Sequence, residues 1–229
     1  YVDERARRRR ILGDMREHCR LAPALLAAAS TGLLACASLD RSSSGAVGSA
    51  PDRVAIAPVT LAPGLQHRAA GDPTRYADAA THVGHYLAEA LLDRGVEVVP
   101  ARDSGGTLGG VDRSPDLHRD ASRLARVAAE RLGVDSLLVV EVTRWSPHDA
   151  LERPPAPAAV GFRATLHGGA DGLLLWSGGF SERQASFIES PWRSLRYPGW
   201  GTRWLSVTEL ARWGARRLAR EIPVHARAP

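Results

Sequence analysis

The chain has 229 residues, 44% of them hydrophobic and 24% charged, and a formal net charge of +5. That apolar content is enough for one domain with a sizeable core and excludes a wholly disordered chain. The first 35 residues hold seven Arg against two Asp and two Glu, which is +3 of the +5, so the remainder carries only +2 and its charge gives no case for nucleic-acid binding.

All 30 basic residues are arginine, and the two cysteines are Cys19 and Cys36. A framework of internal disulfides is therefore not expected after residue 36. The chain opens on Tyr1, its single methionine is Met15, and an arginine run spans Arg7 to Arg10. We read Met15 as the natural start and residues 1–14 as an overextended reading frame. The alternative is a genuine basic tail. Arg16 and Arg20 precede the uncharged run Leu21 to Ala35, which is 15 residues long and contains Pro23 and Gly32. A spanning helix needs about 20 apolar residues. A basic start, a short apolar stretch and a small residue before a cut are instead the layout of a secretory signal peptide over 1–35.

Leu33-Leu34-Ala35-Cys36 resembles the lipobox of bacterial lipoproteins, with Leu34 larger than the residue usually found there. The resemblance implies cleavage after Ala35, lipidation of the Cys36 thiol and attachment of the protein to a membrane through acylated Cys36. It also implies sorting to the outer membrane, facing the periplasm, because Ala37 and not Asp follows the cysteine. Ordinary secretion is the competing reading. Residues 36–52 are rich in Ser, Gly, Ala and Asp after the cysteine and read as anchor plus flexible tether.

A single α/β domain is expected over 53–224. Arg53 to Val59 reads as a short buried strand that Pro58 ends or confines to an edge. Asp72-Pro73 starts a helix with Tyr76, Ala80, Val83, Leu87, Ala90 and Leu91 on one side and Gly95 as terminator. Val96 to Pro100 is the next strand, and 101–119 reads as a loop. A second helix carries Leu124, Val127, Ala128 and Leu132 and stops at Gly133. Val134 to Thr143 follows as a near-continuous aliphatic strand suited to the centre of a sheet. Val160, Phe162, Ala164 and Leu166 alternate with Gly161, Arg163, Thr165 and His167, and a glycine-rich turn returns the chain through Leu173 to Ser177 as a hairpin. Ser206 to Glu209 matches a capping box, opening a last helix with Val207, Leu210, Ala211, Gly214, Leu218 and Ile222 on its buried stripe. The expected order is βαβαβββα: a mixed sheet of about five strands covered by three helices.

The segments Arg53 to Val59, Leu87 to Val99, Ala128 to Val142 and Phe162 to Ser177 resemble envelope lipoproteins of the curli-secretion-channel and penicillin-binding-protein-activator group. That resemblance implies a domain like the N-terminal domain of the TolB translocation protein. It leaves the partner open, since the fold does not fix the function.

No nucleophile elbow, phosphate-binding loop or zinc-protease motif is present in the sequence. Gly105 to Gly110 lacks dinucleotide-loop spacing and reads as a flexible loop. His82 and His85, with Asp78 and Glu89 one turn away, could share a helical face and hold a divalent ion, or form an ordinary solvated face. Glu141 inside the aliphatic strand could have a raised pKa and act as a base; the other reading is that it points to an exposed face or pairs with an arginine such as Arg163 on a neighbouring strand. Phe187, Trp192, Tyr197, Trp200 and Trp204 fall within 18 residues, interleaved with Arg193, Arg196 and Arg203. Such residues are enriched at binding hot spots, so Trp192, Arg193, Tyr197, Trp200 and Arg203 are the candidate partner-binding set. Core packing, with Trp213 as a receiving surface, or contact with the membrane interface are the other readings. The expectation is a non-enzymatic, lipid-anchored envelope protein with no cofactor and no metal. Its partner would be an envelope protein or a peptidoglycan-associated component. A subunit of an oligomeric export complex is the alternative.

Overall fold

The computed structural model describes residues 43–44, 50–76, 78–108, 117–148, 156–184 and 204–225. All of them lie in the unit Leu39–Pro229. Seven strands form one mixed sheet: β1 (Ser43–Ser44), β2 (Arg53–Ile56), β3 (Thr60–Leu61), β4 (Glu97–Val99), β5 (Ser136–Ser146), β6 (Ala159–Gly168) and β7 (Leu174–Arg183). The described helices are α1 (Pro63–Gly71), α2 (Pro73–Tyr76), α3 (Ala79–Leu92), α4 (Ala101–Thr107), α5 (Leu117–Leu132) and α6 (Val207–Glu221).

Across the sheet the order is β1-β7-β6-β5-β2-β4, with β3 also pairing with β5. The pairs β2–β4, β2–β5 and β3–β5 are parallel, whereas β5–β6, β6–β7 and β1–β7 are antiparallel. β5 is thus the hinge between a parallel half and an antiparallel half. Its run Leu137 to Val142 is fully buried, as a strand covered on both faces requires.

Two apolar layers cover the sheet. On one face Val54, Ile56, Leu138, Val140, Val142, Phe162, Leu166, Trp176 and Phe180 meet α3 and α6. On the other Ala55, Ala57, Leu137 and Val139 meet Ala121, Leu124, Ala125 and Ala128 of α5. The stripe expected on the last helix is buried at every position, and Ser206 closes the capping box with Glu209 at both hydrogen bonds. Gly95 and Gly133 terminate α3 and α5 with φ of 78° and 63°, the left-handed conformation that glycine adopts without steric cost.

Several expectations need correction. The helix expected from Asp72-Pro73 divides into α2 and α3, and α1 precedes it. The stretch expected as a loop over 101–119 instead contains α4 and the first turn of α5. Its glycines Gly105 and Gly106 are helical because tertiary contacts override a weak local preference. The buried Ser104 hydroxyl donates to the Ile56 carbonyl (2.5 Å), and Arg131 Nη1 donates to the Thr107 carbonyl at the helix end (2.9 Å). Of the two readings of Pro58, the structure bears out the first: β2 ends at Ile56, just before it, while the edge is β4 and not β2. Within the segment read as a tether, Ser43 and Ser44 pair with Ser177 and Trp176.

The start of β2 is pinned to the start of β5 by one side chain. Asp135 Oδ2 accepts from the backbone N–H groups of Asp52 (3.0 Å) and Arg53 (2.9 Å), and the Asp135 N–H donates to the Arg53 carbonyl (2.9 Å).

Candidate functional site

In an open α/β sheet, ligands are usually held where successive parallel strands send their connections to opposite faces, at the strands' carboxyl ends. Here that place lies between β2 and β4, since α3 covers one face and α5 the other. Helix α3 and the loops approach each other closely there. A Cβ on Gly84 would stand 3.0 Å from Val59 Cγ2 and 3.7 Å from Ala101 Cβ, and the Ser104 hydroxyl is spent on the Ile56 and Ala101 carbonyls.

The aromatic and histidine residues of α3 form a row. His82 stacks on Trp145 (centroids 6.2 Å, 9° between planes) and on Tyr86 (5.7 Å, 16°), and the Arg212 guanidinium lies 5.1 Å above the Tyr86 ring. Arg212 Nη2 is also ion-paired with Glu89 Oε2 at 3.1 Å. His82 and Glu89 thus have aromatic and cationic neighbours, and His85 packs tilted on Tyr86. Among the described residues no group of three or more His, Cys, Asp or Glu is placed to hold a metal ion.

The second surface is the face of β5, β6 and β7 beyond the reach of α5. Burial falls off along β6: His167 is buried, Thr165 half-buried and Arg163 exposed. An irregularity between Val142 and Arg144 inserts Thr143 as an extra residue, so Glu141 and Arg144 share this face while Val142 and Trp145 share the core face. Cross-strand partners place Arg144 opposite Gly161, Gly161 opposite Ser181, Arg163 opposite Gly179 and Ala159 opposite Arg183. Arg144, Arg163 and Arg183 are all exposed. Arg163 Nε lies 2.5 Å from Glu141 Oε2, whose side chain is only 8% exposed. That oxygen has no hydrogen bond, so the contact is ionic and not aligned as donor to acceptor. Glu141 therefore has the arginine partner expected for it, and it is buried and not on an exposed face.

His167 sits where α5 begins to cover this face. Its Nδ1 faces the Gly172 carbonyl at 3.3 Å and its Nε2 faces Thr165 Oγ1 at 3.2 Å. The carbonyl can only accept, which puts the proton on Nδ1. Burial pushes the His167 pKa down, and the hydrogen bond to Gly172 opposes this in part.

Ala35, Cys36, Trp192, Arg193, Tyr197, Trp200 and Arg203 lie outside the described residues. Of the aromatic series, Trp204 is described: it stacks on His148 with centroids 4.9 Å apart. Trp213 packs edge-on against Phe180 at 5.4 Å and under Arg217 at 5.8 Å. The flanks of segment 185–203 are tied together, since Gln184 Oε1 accepts from the Leu205 N–H at 2.7 Å. Arg144 and Arg183 were not singled out by the sequence. The signal for Arg183 was the alternation of Gly179, Ser181 and Arg183 with Gly178, Phe180 and Glu182, which continues β7 well past Ser177.

No known family profile matches the chain, and no curated protein matches it. Among solved structures it is similar to the PelC dodecamer from Paraburkholderia phytofirmans, at 15% identity and a TM-score of 0.48, covering 81% of this chain and 96% of that one. It is similar to lipoprotein GNA1162 from Neisseria meningitidis, at 20% identity and a TM-score of 0.38, covering 59% and 83%. The hypothetical protein CT253 from Chlamydia trachomatis follows at 14% identity and 0.33, covering 74% and 92%. With TM-scores below 0.5, these likenesses assign neither a fold family nor a function to this chain.

Proposed function

We propose that this chain is a non-enzymatic, lipid-anchored protein of the cell envelope, and that its α/β domain binds another envelope component. The observation that carries this reading is the uncharged run Leu21 to Ala35, set between Arg16/Arg20 and Cys36 and followed by a polar stretch. No described helix is long and apolar enough to cross a membrane. Attachment in this reading comes from acyl chains on Cys36.

Metabolic labelling with an alkyne fatty acid tests the anchor. Label on the parent and none on Cys36→Ser is the expected outcome; an unlabelled parent that still matures and fractionates normally removes the envelope reading. The candidate partner surface is Trp192, Arg193, Tyr197, Trp200 and Arg203, from the segment between Gln184 and Leu205 in the sequence. A photo-crosslinking residue at position 200 is expected to give one discrete adduct with an envelope component. Adducts only with other copies of the chain, together with a closed ring by light scattering in detergent, would replace the binder by a subunit of an oligomeric export complex.

A further inference from the structure

We propose that the arginine-bearing end of the β5–β6–β7 face lies against a bilayer of anionic phospholipid, so that headgroup contacts fix the orientation of the domain. The biological setting rests on the anchor reading above; the geometry does not. Three guanidiniums, those of Arg144, Arg163 and Arg183, project from one face of three adjacent strands. Their only described counter-charge on that face is Glu141, which is paired with Arg163. Arg144 and Arg183 are exposed and have no ion pair among the described residues.

The ground between them is low. Gly161, Gly179 and Ser181 occupy the intervening register positions, and a side chain at Gly161 would meet Thr143 Oγ1 at 2.8 Å. With neighbouring strands about 4.8 Å apart and about 3.4 Å per residue along them, Arg144 stands roughly 8 Å from Arg163 and roughly 12 Å from Arg183, and Arg163 and Arg183 are roughly 14 Å apart, above a shallow floor. A guanidinium offers a planar fork that fits phosphate oxygens, and a flat cluster of such forks suits a surface of many phosphates more than one enclosed anion.

The register of β1 supplies the second argument. Ser43 pairs with Ser177 and Ser44 with Trp176, antiparallel, so the N-terminal end of β1 points along β7 toward Arg183. Cys36 precedes Ser43 by seven residues. Seven residues reach at most about 25 Å. In the anchor reading that length of chain is enough to span the six residues of β7 between Ser177 and Arg183, roughly 20 Å. Acyl chains alone set how close the domain stays to the bilayer and leave its rotation free. A basic face supplies a second attachment signal, which a single lipid anchor needs for a stable, oriented attachment.

The test uses the chain from residue 36 onward with Cys36→Ser, which contains every described residue and needs no acylation. Sedimentation with vesicles is expected to show binding to equimolar phosphatidylglycerol and phosphatidylcholine, weakening with salt, and none to phosphatidylcholine alone. R144Q/R183Q is expected to bind about 30-fold more weakly. R216Q/R220Q removes the same charge from exposed positions on α6 and is expected to change binding little. Equal losses in the two double variants, no loss in either, or full displacement by inorganic phosphate would overturn the proposal, the last marking a soluble-anion site. Should R144Q/R183Q fail to fold, a fluorophore on Ser181→Cys keeps the question open to measurement, because this chain then has no other thiol. Its emission is expected to shift to the blue on anionic vesicles, while the same label on Arg216→Cys stays unchanged; the reverse pattern sinks the idea. Failure here with fatty-acid label intact on Cys36 would reject the oriented face and leave the anchor standing.

Discussion

Arg94, in the turn after α3, closes the end of the last helix by donating from Nη1 to the Ile222 carbonyl at 2.9 Å and to the Ala219 carbonyl. The final carbonyls of a helix have no partner within it, and a cation there also meets the negative end of the helix dipole. Residues more than 120 positions apart are joined in this way, and the two helices that cover one face of the sheet become a single layer. Burial pulls the Arg94 pKa below its ordinary value, the desolvation cost of placing a guanidinium there. Arg94→Met keeps the stem and removes the donors. It is expected to lower unfolding stability by about 2 kcal/mol, with Arg94→Lys recovering part of the loss. Urea melts of the three proteins decide this, and a parent-like Met variant would show the cap to be dispensable.

The Glu141–Arg163 pair has one buried and one exposed end, with side chains 8% and 58% accessible. Removing the exposed partner leaves a buried carboxylate without its counter-charge, the costlier half of the exchange. Solvent screening at Arg163 moderates the effect, so Arg163→Gln is expected to destabilise by about 1–2 kcal/mol. E141Q/R163Q is expected to be more stable than Arg163→Gln alone. A double-mutant cycle in urea supplies the number, and strict additivity would show that the pair is not coupled.

How far the sequence revealed this arrangement depended on the scale of the interaction. Ser206 and Glu209, or Gly95 and Gly133, act within one turn of chain, and their residue types announce the structure directly. The aliphatic run through Leu137 to Val142 likewise could only be an interior strand. α4 escaped notice because its glycines have poor helix propensity and its support comes from distant groups, the Ile56 carbonyl and Arg131. The arginine face was hidden for a related reason. Arg144, Arg163 and Arg183 are far apart in sequence, and the extra residue Thr143 shifts the alternation that would have placed Arg144 with Glu141.

His167 gives the stability a pH dependence of predictable sign. Its folded pKa lies below the ordinary value of 6.5, chiefly through burial, so the unfolded chain takes up the proton first as pH falls. Stability from this residue is therefore fully present above the unfolded pKa and declines as pH drops from there toward the folded pKa, below which it levels off. His167→Gln is expected to flatten that part of the profile. The other seven histidines remain in both proteins, so the quantity to compare is the difference in melting temperature between parent and variant at neutral and mildly acidic pH. A difference that does not change with pH would exclude His167 as the source.

Two glycines should respond in opposite directions to the same substitution. Gly172 closes the β6–β7 turn with φ of 73°, and a Cβ there would sit 2.3 Å from the Ser122 carbonyl oxygen of α5. Backbone cannot yield as a side-chain tip can, and the left-handed conformation adds its own cost. Gly172→Ala is thus expected to lose about 2–4 kcal/mol and to loosen α5 from the sheet. Gly106 lies in α4 with nothing within 4 Å of its would-be Cβ, and its φ is not positive. Gly106→Ala restricts the unfolded chain and favours the helix, for an expected gain of about 0.5–1 kcal/mol. Denaturation of both variants checks the pair; a destabilising Gly106→Ala would mean that 101–107 does not hold its helix in solution.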